Sequence, residues 1–205
     1  MSKPSRPHRP ALHADLTELV DAAGDDGGLS RAEIAAATAA LVVRAGRSSA
    51  EPSDERFVDL ADRVGIDTLA QLWQKSDPVS LPGALWALYL LRQWCRVNAE
   101  QVSLFWRAGE PLAPADAVVA GVADAADSDS VHQVADDVLS GVYGRDLDVA
   151  LERAAALFRV VAAGRRDLAD SGVAGDVERE LADRNERVAT DLATAARLWR
   201  AGRLH

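Results

Sequence analysis

The residues of this chain best placed to do chemistry are a polar minority set among aromatics. The stretch from Leu81 to Arg107 holds three of the five tryptophans, one of the two tyrosines and the single cysteine. Laid out at about 100° per residue, as for a helix, Asn98 falls on the side of Leu91, Trp94, Val102 and Phe105, and Gln101 lies near the middle of the same apolar arc. A buried amide without a partner costs roughly 1 to 3 kcal/mol, so Asn98 is expected either to be tied to another helix or to line a polar cavity. The second alternative makes Trp86, Trp94, Asn98 and Gln101 candidate ligand contacts. Aromatic walls with a few polar groups to fix orientation are the usual make-up of a small-molecule pocket. Arg92, Gln93, Arg96, Glu100, Ser103 and Arg107 gather on one narrow strip. It reads as a solvated face with an Arg96 to Glu100 pair at i,i+4.

A glycine-rich stretch carries part of a calcium-ligand pattern. In AAGDDGGLSRAEI, residues 22 to 34, taking Ala22 as position one of an EF-hand loop puts Asp26 at five, Gly27 at the glycine position six and Glu33 at twelve. The stretch resembles the second half of such a loop, but Ala22 and Gly24 stand where two more ligands are needed. Ser30 and Glu33 also make the S-x-x-E pattern of a capping box, with Leu29 and Ile34 as its hydrophobic staple. Capping accounts for these residues without an ion, so Asp26 and Glu33 are weak metal candidates and no metal is expected.

Catalytic groups are scarce. His132 and Asp136 are spaced i,i+4, but general-base use requires a nucleophile, and none stands in a recognisable turn, so the two read as a surface pair. Neither common glycine-rich phosphate motif occurs, and no Glu-x-x-His pair of a di-iron bundle. One cysteine excludes an internal disulfide and a thiolate metal cage. On its apolar arc, Cys95 reads as a small buried hydrophobe. We expect no catalytic residue and no cofactor.

Any such site must be positioned by helices. Pro82 in a first turn behind Ser80, with Gly109 and Pro111 as stops, predicts one helix over about 81–107, roughly 39 Å long at ~1.5 Å per residue. It is apolar over more than half its circumference and therefore enclosed by others. Helical spacing recurs over 11–23, 31–45, 53–64, 67–73, 115–126, from 130 onward, over 146–163 and over 175–201, and no run alternates with period two long enough for a strand. The fold class that follows is all-α, a multi-helix bundle around one long central helix (about 81–107) with a long amphipathic C-terminal helix. Residues 1–10 read as a disordered tail, 11–45 as an N-terminal helical hairpin, 46–54 as a linker and 55–205 as the main helical bundle. In the last helix Leu181, Val188, Leu192 and Trp199 form a narrow seam with Asn185 inside it. Such a seam packs lengthwise on one neighbour or on a partner chain, and these five residues are the candidate interaction face.

Composition sets the outer bounds. Apolar residues at 48% and charged residues at 27% are ordinary for a soluble globular chain. A net charge of −9 and an isoelectric point near 4.9 argue against nucleic-acid binding, which needs clustered cations to neutralise phosphates. The longest apolar run, Ala84 to Leu91, is far below the roughly 18 residues of a membrane span, and MSKPSRPHRP lacks the apolar core of a secretory signal. A cytoplasmic location follows, with no membrane partner. Arginine outnumbers lysine 21 to 2, as GC-rich bacterial coding sequences tend to produce. The functional expectation is a noncatalytic soluble helical protein acting through protein-protein interaction or regulation, with a protein partner or a second copy on the C-terminal seam. The alternative is a small-molecule-binding helical domain with an aromatic-lined pocket near Trp94 and Asn98.

Overall fold

Helix α1 (Arg31–Ser48) starts on a reciprocal cap: the Ser30 amide donates to Glu33 Oε2 at 2.7 Å and the Glu33 amide to Ser30 Oγ at 3.3 Å. The capping box is therefore formed, and it holds the Glu33 carboxylate below its ordinary pKa through those hydrogen bonds. The computed structural model describes residues 30–48, 66–121, 130, 133–138, 146–172 and 175–205. Leu29, Asp26, His132, the expected tail and the expected helices over 11–23 and 53–64 lie outside them. After α1 come α2 (Ile66–Trp73), α3 (Leu81–Val97), α4 (Ala99–Gly109), α5 (Pro114–Ala120), α6 (133–138), α7 (Leu147–Asp170) and α8 (Asp176–Arg200). The described residues contain no strand, and the protein is an all-α multi-helix bundle. No helix among them is long and apolar enough to cross a membrane.

The stretch 81–107 is two helices rather than one. Ser80 caps α3 by accepting from the Gly83 amide at 3.2 Å, with Pro82 in the first turn, but at Asn98 the backbone leaves helical geometry (φ −126°, ψ 36°). Asparagine competes for local hydrogen bonds and is a poor interior helix residue, and here Val97 and Asn98 both face solvent. The break lets the two halves bury different neighbours. Helix α3 packs against α1, α2 and α8, whereas α4 turns its Val102, Phe105 and Trp106 onto α7. A constant 100° step cannot be carried through residue 98, which is why the inferred burial of Asn98 and Gln101 fails: both are exposed.

The innermost helix is α7, which buries Ala154, Ala155, Ala156, Leu157, Val160 and Val161 and touches α8, α4 and α5 along its length. It runs on through Gly164 to Asp170, past the stop expected at Ala163. Glycine is no terminator here because its missing Cβ is used for contact. A Cβ at Gly164 would overlap the carbonyl oxygen of Phe105, and one at Gly109 that of Val160. The α4 and α7 backbones touch directly at this crossing, and the next residue, Arg165, is thereby set against Phe105.

Polar ties join the outer helices to this core. Arg92 is buried and donates to Asp136 on α6 at 2.6 Å, so it leaves the solvated strip on which its spacing had put it and takes the carboxylate assigned to His132. The Trp73 indole donates to Thr38 Oγ1 at 3.1 Å, fixing α2 to α1. Cys95 is fully buried, as its place on the apolar arc implied. Along α7 and α8 run exposed pairs such as Arg200 with Asp148 and Glu152. Such solvent-exposed pairs contribute little beside the roughly 1.5 to 3 kcal/mol from burying a leucine, so Leu192 and its alanine neighbours dominate that interface.

Candidate functional site

Three helix faces that need cover fail to close completely on one another. From α3 come Gly83, Trp86, Ala87, Leu90, Leu91 and Trp94, at the i, i+3, i+4 spacing of a single face. Helix α8 supplies Leu181, Asn185, Val188, Asp191 and Leu192, and α7 supplies Phe158 and Arg165, two turns apart. Gln74, Ser76 and Pro78, between α2 and α3, complete the lining. The result is a cleft of about 440 Å³. Its floor is buried, with Leu91 and Leu192 each 1% exposed, and its rim is open, with Leu90 at 43%.

The cleft brings together two residue sets that sequence reasoning kept apart. Trp86 and Trp94, expected as ligand contacts, form one wall. Leu181, Asn185, Val188 and Leu192, expected as an interaction seam, form the other, so the C-terminal helix lays its apolar stripe on its own chain. Trp199 lies beyond the cleft, packed against the core. Asn98 and Gln101, both solvent-exposed, do not take part.

Arg165 is the residue the sequence analysis missed. Its side chain is 6% exposed and forms an ion pair with Glu178 through Nη1. The guanidinium carbon lies 4.1 Å from the Phe105 ring centroid and 5.3 Å from that of Trp94, within cation-π range. Trp94 in turn lies nearly parallel to Phe158, with centroids 6.4 Å apart. Burial lowers the affinity of the Arg165 guanidinium for its proton and Glu178 opposes that. A signal was present: Leu151, Phe158 and Arg165 follow at intervals of seven, so an arginine sits on the apolar stripe of α7. The expected helix end at Ala163 hid it.

Polar atoms at the wall are not all satisfied. Arg165 Nε and Asn185 Nδ2 are buried and have no hydrogen-bond partner. Asp191 adds a carboxylate to the lining. Among the described residues no group of three or more His, Cys, Asp or Glu side chains could hold a metal ion. The Cys95 thiol is not in the cleft lining, and burial, with Asp136 adding to it, pushes its pKa up to about 12. No known protein family, curated protein or solved structure matches the chain.

Proposed function

We propose that this protein binds a small, largely apolar molecule in the cleft between α3, α7 and α8 and holds it without transforming it. The observation that carries this reading is the cleft itself. Its volume of about 440 Å³ lies within the roughly 300 to 1,000 Å³ of small-molecule sites, and an apolar, aromatic lining with a few polar groups is the common composition of such sites. Burying apolar ligand surface there is favourable by ~25 cal/mol per Å², and Trp86 and Trp94 offer rigid faces at little entropic cost. The seam of α8 supports this reading over a partner-binding one, because Leu181, Val188 and Leu192 line an internal wall. A guest held between helices from distant parts of the chain also ties occupancy to packing. Binding stabilises the fold by mass action, which is how such a domain would regulate something else.

Titration with the neutral fluorophore N-phenyl-1-naphthylamine tests the reading. The expected result is saturable one-to-one binding with a blue-shifted dye emission and a rise in Tm. Ala87→Phe, which fills the cleft from the α3 side, should remove both. Absence of saturable binding, or binding indifferent to Ala87→Phe, would count against the cleft as the site.

A further inference from the structure

Four buried side-chain nitrogens or oxygens among the described residues lack a partner, and two of them, Arg165 Nε and Asn185 Nδ2, belong to residues of the cleft wall. Few buried polar groups in folded proteins go unpaired, and each such group calls for an explanation. These two ask for the same thing, since both are donors and each needs an oxygen lone pair. Arg165 is 5% exposed overall, so its unpaired Nε is not a surface group that water will serve. The Asn185 carboxamide is the adaptable member. The residue is only half-buried and its terminal torsion is broad, so rotation of the carboxamide can bring Nδ2 to an occupant of the cleft.

The charges around these donors decide which oxygen they would receive. Glu178 already neutralises Arg165, and Asp191 places a second carboxylate in the lining. A carboxylate guest would bring a third negative charge against one positive, in a partly desolvated site where Coulomb interactions are strong. A carbonyl brings lone pairs without charge. Resting on the reading of the cleft as a binding site, we infer that its ligand is an uncharged aromatic or alicyclic molecule bearing a carbonyl oxygen, as in a ketone, amide, ester or lactone. Its apolar body lies against Trp86, Trp94 and Val188, and its oxygen is directed to the Asn185 carboxamide.

Three probes with one body separate the possibilities: 2-ethylnaphthalene, 2-acetylnaphthalene and 2-naphthoate, each titrated calorimetrically into the full chain at pH 7.5. The ketone should bind roughly fivefold tighter than the hydrocarbon, the contribution of one net hydrogen bond, and the carboxylate should bind weakest. Asn185→Leu should bring the ketone-to-hydrocarbon affinity ratio down to about one. Equal affinity for ketone and hydrocarbon in the unaltered protein would overturn the inference while leaving the cleft a binding site. Tightest binding of 2-naphthoate would overturn it in favour of an anionic ligand. If none of the three binds, the reading of the cleft falls together with the inference.

Discussion

If the cleft binds a ligand as proposed, Asn185 is the residue at which stability and function pull in opposite directions. Its Nδ2 is buried beside leucine and valine without an acceptor, a state that costs roughly 1 to 3 kcal/mol. Asn185→Leu should therefore raise the unfolding free energy by about 1 kcal/mol in urea titration, as substitutions at functional polar positions often do. A loss of stability would show that the amide is a structural tie. The buried amide expected at Asn98 is found instead at Asn185, whose Nδ2 is enclosed while Asn98 is exposed. Both are amides in apolar stripes, but only the stripe of α8 is carried by one unbroken helix, so only there does spacing predict burial. Cys95 offers a second check at this scale. Its folded pKa of about 12 exceeds the 9.0 of a free thiol, so above pH 9 the unfolded chain loses a proton that the folded chain keeps. Stability from this source is complete below pH 9 and declines as the pH rises toward 12. Between pH 8 and pH 10 the unaltered protein should lose on the order of 1 kcal/mol more than Cys95→Ala. Parallel profiles would mean that the thiol is accessible.

Element positions were largely legible, and the places where they were not share a cause. Helix α8, expected over about 175–201, spans Asp176–Arg200, because its charged faces and single apolar stripe leave one solution. The Ser30 cap and the Ser80 cap with Pro82 likewise start helices where their chemistry predicts. Gly164 and Asn98 misled for opposite reasons. Glycine stops many helices but here serves a crossing, and asparagine was carried through a helix that it in fact interrupts. Which role such a residue takes depends on the neighbouring helix, and that is tertiary information. Gly164→Ala tests the crossing. Alanine is favoured over glycine in a free helix by about 1 kcal/mol, yet its Cβ would overlap the Phe105 carbonyl and force α4 away from α7. Net destabilisation of about 1 to 3 kcal/mol is expected, the usual range for overpacking. Thermal unfolding measures it, and a stabilised variant would refute the direct backbone contact. The displacement should also loosen Arg165 from Phe105, so the cleft depends on this crossing.

At the scale of the whole molecule, the bundle assembles a cleft that no single segment announces. An aromatic face from α3, a mixed seam from α8 and an arginine from α7 are each ordinary when taken alone. Their convergence arises because α7, rich in alanine and therefore slender, lets α4 and α8 pack close to it while α3 leans on α8 across a gap. The five tryptophans are distributed so that the central claim can be tested residue by residue. Trp86 and Trp94 line the cleft, whereas Trp73, Trp106 and Trp199 do not. The most direct measurement is a ¹⁵N–¹H correlation spectrum of the five indole N–H groups during titration with 2-acetylnaphthalene. Saturating shifts of the Trp86 and Trp94 resonances are expected, with Trp73, Trp106 and Trp199 nearly still. Unmoved resonances for Trp86 and Trp94, or larger shifts at the other three, would contradict the central claim.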